Sequence, residues 1–281
     1  MPEDTKDNVQ ASENKVVKGL FSRYTVIKFK GSSNEKNSRL NLSLFPFVGV
    51  MLAAIMLLLI IIVECLNNAL DADIWAFMML IVIAVPFVFY GFKPTQGLMN
   101  VCERLFPKKG SESVSAASVM VPALLLLFII ATFGFIIGGF NPIGDEPTFE
   151  ITSSALFYLP AFEIAVTIAV VSTLYFSKVN KDSRYTGCVD TPGFIVAIVI
   201  SLIACIVFSC VPILIEGDIE FKDVLMMILL NVFAVIIGLV LAQLFDKKLN
   251  GMSDSEVGAS FELSRPILAL FFIVTYIIVF W

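Results

Sequence analysis

The side chains best suited to chemistry in this chain fall into two short polar segments that interrupt long apolar runs. In the first, Gly91–Leu105 (GFKPTQGLMNVCERL), Gln96, Asn100 and Glu103 stand at i, i+4 and i+7. That spacing puts them on one face of a helix starting near Thr95. A row of carboxylate and carbonyl oxygens suits a hard cation such as Mg²⁺, and Lys93, Arg104, Lys108 and Lys109 supply positive charge for phosphate. The second segment, Lys247–Arg265, holds Asp254, Glu256 and Glu262 among small residues. A solvated helix face, or a charged loop with Ser253 or Ser255 capping a short helix, would display the same residues, so spacing alone leaves both readings open.

Other chemistries are excluded by composition. The chain has no His, which removes imidazole acid–base catalysis, the usual zinc and iron sites and every His-containing triad. Its five cysteines, Cys65, Cys102, Cys188, Cys205 and Cys210, form no Cys-x-x-Cys pair and read as reduced packing residues.

The elements that must position these segments are membrane helices. Of 281 residues 58% are hydrophobic and 15% charged, and the mean hydropathy is +0.91; a soluble domain of this size has no way to bury so much apolar surface. Stretches of the length needed to span a bilayer are Leu44–Cys65, Ile74–Phe92, Ala116–Phe140, Ser154–Ser177, Gly193–Ile215, Val224–Phe245 and the shorter Pro266–Trp281. They must be helices, because a lone strand in hydrocarbon leaves its backbone groups unpaired. The reading is an all-α, polytopic integral membrane protein of about seven spans. Pro46, Pro192 and Pro266 lie near helix starts; Pro86, Pro122, Pro160 and Pro212 lie deeper and predict kinks or re-entrant breaks.

Charge sets the expected orientation. With the N-terminus in the cytoplasm, all but Lys222 of the 19 basic residues fall inside, and the outer loops carry Asp71, Asp73, Asp145, Glu146, Glu150, Glu216, Asp218 and Glu220, as the positive-inside rule requires. Residues 1–43 form a cytoplasmic arm, disordered at first and without the apolar core of a signal peptide. Residues 44–281 form the membrane domain, with cytoplasmic loops near 93–115, 178–191 and 246–265. Within the spans, Glu163 is the one deep acid and Asn231 and Gln243 the clearest amides. Such a carboxylate marks either a proton or cation site or a protonated residue bonded to a neighbouring helix, and its apparent isolation favours the second.

On four stretches the sequence resembles cobalamin synthase, the adenosylcobinamide-GDP ribazoletransferases. Phe21-Ser22-Arg23 resembles the family's N-terminal Phe-x-Thr-Arg, one residue shorter. Phe45-Pro46-Phe47-Val48-Gly49 resembles its Phe-Pro-Leu-Val-Gly entry to the first span. Gly91–Leu105 aligns without gaps on the signature Gly-Gly-Leu-His-Leu-Asp-Gly-Leu-Ala-Asp-Thr-x-Asp-x-Leu, sharing Gly91, Gly97, Leu98 and Leu105. Asn250–Leu263 resembles Gly-Gly-x-Thr-Gly-Asp-x-x-Gly-Ala-x-x-Glu-Leu, sharing Gly251, Gly258, Ala259, Glu262 and Leu263.

The resemblance implies transfer of cobinamide phosphate from its GDP-activated form to α-ribazole or its phosphate, with release of GMP. It implies Mg²⁺ held by Gln96, Asn100, Glu103 and Ser255, catalysis by Glu103, Asp254 and Glu262, and phosphates held by Arg23, Lys93 and Lys109. The implied partners are corrinoid and nucleotide small molecules, the bilayer of the cell membrane, and a homo-oligomer or a partner synthase, with no nucleic acid. The departures are specific. The signature's three acids fall on Gln96, Asn100 and Glu103, its His on Pro94, and the later signature's Asp on Ser255. A Lys-Asp-Ser-Arg copy, Lys181-Asp182-Ser183-Arg184, stands one loop out of the family's order. Amide oxygens without formal charge compete poorly with the hydration shell of Mg²⁺. The alternatives are therefore a catalytically inactive relative that binds corrinoid or a partner synthase, and a small transporter built on Glu163, Asn231 and Gln243.

Overall fold

A computed structural model of the protein describes residues 23–27, 42–70, 75–107, 115–137, 158–182, 185–216 and 221–280. The predicted site residue Lys109, most of the N-terminal arm and all the acids expected in the outer loops except Glu216 lie outside them. The described residues are helical, with one isolated bridge, Asn180 to Met252, and no strand. A 3₁₀ turn at Leu42–Leu44 leads into α1 (Pro46–Leu70), followed by α2 (Trp75–Phe89), α3 (Lys93–Leu105), α4 (Ala116–Ile137), α5 (Tyr158–Phe176), α6 (Thr191–Glu216), α7 (Phe221–Leu249) and α8 (Asp254–Phe280).

Every predicted span contains a helix. Among the described residues five stretches are long and apolar enough to cross a membrane: Leu42–Val63, Tyr158–Phe176, Thr191–Ser209, Val224–Leu249 and Asp254–Thr275. Leu80–Phe89 and Lys93–Leu105 pass the same test as a pair bent by 77°, and Ala116–Thr132 is a shorter apolar helix. This is a multi-pass membrane protein. At its centre stands α5, buried continuously from Tyr158 to Leu174, as expected of a helix that is apolar all round. Helices α1, α6, α7 and α8 pack around it.

The bend after α2 is a capped helix end. The Gly91 N–H bonds the Val88 carbonyl at 3.0 Å and the Phe92 N–H bonds the Phe87 carbonyl at 3.0 Å, with Gly91 at φ +61°. This pattern is a Schellman motif, whose left-handed position glycine fills without a Cβ clash. Phe92 is also left-handed, at φ 56°, and serves as N-cap of α3, with Pro94 in the first turn. Pro86 thus lies in the last turn of α2, just before the 77° bend.

Other proline expectations change. Pro160 sits in the first turn of α5, where its missing N–H costs little. Pro266 lies inside α8 and not at a helix start. The last span is not short: it begins at Asp254, and most of the loop expected at 246–265 is the end of α7 and the first turns of α8. A tight turn joins those two helices, with Asn250 at φ 57° and Gly251 at φ +109°. In the same way the loop expected after residue 93 is α3, which starts two residues before Thr95.

Candidate functional site

Two of the resemblance segments meet at one backbone contact. A Cβ on Gly97 of α3 would stand 2.9 Å from the Gly258 Cα and 2.8 Å from the Ser255 carbonyl oxygen of α8. Real Cβ atoms do not approach that closely, so Gly97 needs to be glycine for the helices to touch; a Cβ on Gly258 would be tight, 3.1 Å from the Gly97 Cα and the Pro94 carbonyl oxygen. The touching helices form a cavity of about 320 Å³ at the end of the bundle where α3 and α8 begin. Gln96, Gly97 and Asn100 line it from α3; Asp254, Ser255, Gly258 and Phe261 line it from α8; Lys93 and Pro94 stand at the mouth of α3. Asn100 Nδ2 reaches Ser255 Oγ at 3.4 Å across it.

The N-terminal arm closes the remaining side with Arg23 and Tyr24. Residues 23–27 are docked by the Val26 N–H on the Phe89 carbonyl at 2.9 Å. Lys93 Nζ donates to the carbonyls of Arg23 at 2.6 Å and Thr25 at 3.0 Å. Arg23 Nη2 pairs with Asp254 Oδ1 at 2.5 Å. The same carboxylate oxygen accepts the Tyr185 hydroxyl, and Tyr185 meets Tyr24 oxygen to oxygen at 3.0 Å. Burial pushes the Tyr24 phenol up to about 12 and raises Tyr185 further, so both stay protonated and act as donors. Tyr90 and Phe261, with ring centroids 5.0 Å apart, form the aromatic wall. The fully buried Tyr90 hydroxyl has no hydrogen-bond partner.

Of the sequence-predicted residues, Arg23, Lys93, Gln96, Asn100, Asp254 and Ser255 come together here. Glu103 and Glu262 do not. Glu103 stands about one turn beyond Asn100, the last α3 residue on the cavity wall, and is half-buried. Glu262 points into the bundle: it accepts Thr95 Oγ1 at 2.9 Å and Arg265 Nη1 at 3.3 Å. Arg265, expected in a cytoplasmic loop, is buried and grips Glu163 with two nitrogens at 3.1 and 3.2 Å. Glu163 is therefore not isolated, and the reading of it as a lone protonated acid is corrected. The guanidinium lies over Phe87 and Tyr90, 5.1 and 5.7 Å from their ring centroids.

Sequence reasoning also missed Tyr24, Tyr90, Tyr185 and Phe261, which no local spacing marks out, and the role of Glu256. Ser253 and Glu256 form a capping box, the Ser253 N–H donating to Glu256 Oε2 at 3.0 Å. The Ser-x-x-Glu spacing was there to be read. Arg104 pairs with the same buried carboxylate, and Lys181 approaches it at 3.3 Å. Lys181, in the displaced copy of Lys-Asp-Ser-Arg, thus clamps the start of α8 from outside the cavity, helped by the bond of its N–H to the Met252 carbonyl at 3.1 Å.

The donor set does not fit a resident Mg²⁺. That ion takes carboxylate oxygens and holds its waters tightly. Gln96, Asn100 and Ser255 are neutral, and Asp254, the one carboxylate among the described residues of the cavity wall, already serves Arg23 and Tyr185. Among the described residues no group of three or more His, Cys, Asp or Glu is placed to hold a metal.

These features define a helical membrane protein with a polar, aromatic-backed cavity at one end of its bundle. A family model, cobalamin-5-phosphate synthase, matches residues 17–274, and the chain belongs to that family of transferases in cobalamin biosynthesis. No curated protein and no solved structure matches it.

Proposed function

We propose that the protein joins GDP-activated cobinamide to α-ribazole, or its phosphate, in a cavity facing the cytoplasm from the cell membrane, with its N-terminus on the same side. The observation that carries this is the convergence of three resemblance segments, the arm at Arg23, α3 and the start of α8, on one cavity wall. The cytoplasmic orientation rests on the basic residues of the arm and of the loops beside α3 and α8.

In this reading Arg23 and Lys93 hold the diphosphate, and Gln96, Asn100 and Ser255 orient it by hydrogen bonds. Tyr24, partly exposed and backed by the buried Tyr90 and Phe261, offers a flat face to a ring. The ribose hydroxyl oxygen of the acceptor attacks the cobinamide phosphorus, the anhydride bond breaks, and GMP leaves with the bridging oxygen. Asp254 takes the hydroxyl proton once phosphate has drawn Arg23 away from it. Two of the roles implied by the resemblance do not follow the geometry: Glu103 lies off the cavity, and Glu262 is committed to Arg265.

The test is GMP release by purified protein supplied with GDP-cobinamide and α-ribazole, compared with an Asp254→Asn variant. Release that the variant lowers by about a hundredfold supports the transferase, that being the usual scale of a proton-transfer contribution. Tight binding of both substrates with no GMP favours the inactive relative, a reading the loss of the signature acids supports. The transporter reading is weakened by its own residues: Glu163 is held by Arg265, and Asn231 bonds Ser201 at 2.7 Å and the Met227 carbonyl at 2.9 Å.

A further inference from the structure

Among the described residues the cavity wall carries two cations, Arg23 and Lys93, against one carboxylate, Asp254, and these three side chains sum to one positive charge. A site lined by several carboxylates must take up a cation before it can accept a diphosphate, because like charges repel. Here the acids have been replaced by Gln96, Asn100 and Ser255, while Arg23 and Lys93 remain. The three acids of α8 are each matched to a base: Asp254 to Arg23, Glu256 to Arg104 and Lys181, Glu262 to Arg265.

From this juxtaposition of two cations with neutral oxygen-bearing side chains we infer that the cavity binds a nucleoside diphosphate without a divalent cation, the chain's own Arg23 and Lys93 doing the neutralising. The Arg23–Asp254 pair is the exchangeable element. Its side chains are 23% and 56% exposed, so the pair is worth little in stability, and an incoming phosphate replaces the carboxylate on the guanidinium as a bidentate partner. Magnesium in solution then works against binding, because the Mg²⁺ complex of GDP is less anionic than free GDP and meets a cationic wall.

The inference rests on the reading of the cavity as the substrate site, and the experiment separates the two. GDP binding to the full-length protein in detergent or nanodiscs is measured by calorimetry, once in EDTA and once in excess Mg²⁺. The expected result is an affinity in EDTA equal to or tighter than that in Mg²⁺. Arg23→Gln should weaken GDP in EDTA by about tenfold or more, the scale of a lost hydrogen bond to a charged group. The triple change Gln96→Asp, Asn100→Asp and Ser255→Asp adds three negative charges to a wall carrying one net positive. It should lose GDP affinity in EDTA by about tenfold or more and regain it in Mg²⁺, and Mg²⁺ should raise its melting temperature but not that of the wild type. GDP binding by the wild type that vanishes in EDTA and returns with Mg²⁺ overturns the inference and leaves the substrate reading standing. No GDP binding in either condition overturns both. If the triple variant fails to fold, the wild-type pair of titrations and Arg23→Gln still decide the matter.

Discussion

Two ion clusters lie along α8, and they handle charge in opposite ways. At the start of the helix, Asp254 meets Arg23 at the rim of the cavity, with both side chains partly exposed and a hydroxyl from Tyr185 on the same oxygen. About three turns further on, Arg265 joins Glu163 and Glu262 with all three side chains buried. Water can compete for the Arg23–Asp254 pair of the first cluster, so that pair can be exchanged for a ligand. The second is sealed under Phe87 and Tyr90, and no partner is there to replace what a substitution removes. The first is arranged to do chemistry, and the second to fix the helices that hold it.

The largest effect expected from this contrast is at Arg265. Arg265→Met keeps most of the volume but leaves Glu163 and Glu262 buried without their cation, which should cost about 3–5 kcal/mol. Folded yield and melting temperature in detergent should fall together. Glu163→Gln should cost less, because Arg265 keeps Glu262 at 3.3 Å and an amide oxygen still accepts one of its bonds. If Arg265→Met melts like the wild type while transfer stops, the buried cluster belongs to the reaction and the contrast fails.

Next in size is the contact that builds the cavity. Gly97→Ala or Gly258→Ala drives a methyl group into the backbone of the facing helix, and overpacking of this kind costs about 1–3 kcal/mol. Since these glycines set the spacing of α3 and α8, the nucleotide affinity should fall along with the melting temperature. A variant that melts lower yet binds GDP as before would show that the cavity does not depend on this approach.

Part of this arrangement was legible in the sequence. The apolar stretches gave the helices and their order, and Gln96 with Asn100 at i and i+4 does form a cavity wall. The rest required contacts across the chain. Tyr185 reaches Asp254 over 69 positions and Arg23 reaches it over 231, separations for which neither period nor spacing carries a signal. Arg265 was misplaced for a different reason. Counting apolar residues ends the last span at Pro266, because Asp254–Arg265 is too charged to pass; yet Glu262 and Arg265 stand at i, i+3, the spacing of a helical ion pair. Proline before an apolar run looked like a helix start, and in α8 it is an interior residue whose missing N–H the surrounding bundle tolerates.

The smallest effect expected is at Glu103, and it sharpens the contrast because sequence and structure disagree there. The resemblance implies both a catalytic and a metal-binding role for it, as the only one of three signature acids that keeps its charge. In the structure it shares a helical face with Gln96 and Asn100 but stands beyond the cavity they line. It is half-buried at the end of α3, so replacing its charge disturbs neither ion cluster. Glu103→Gln should change the melting temperature little, the stability cost staying within about 0.5 kcal/mol as for surface substitutions elsewhere. It should also leave GDP affinity in EDTA within about twofold, a difference of only a few tenths of a kcal/mol. Titration of GDP with the variant, in EDTA and in Mg²⁺, measures this. A large loss confined to the Mg²⁺ arm would restore Glu103 as a metal ligand, and with it a cavity that closes around a cation in place of one that supplies its own positive charge.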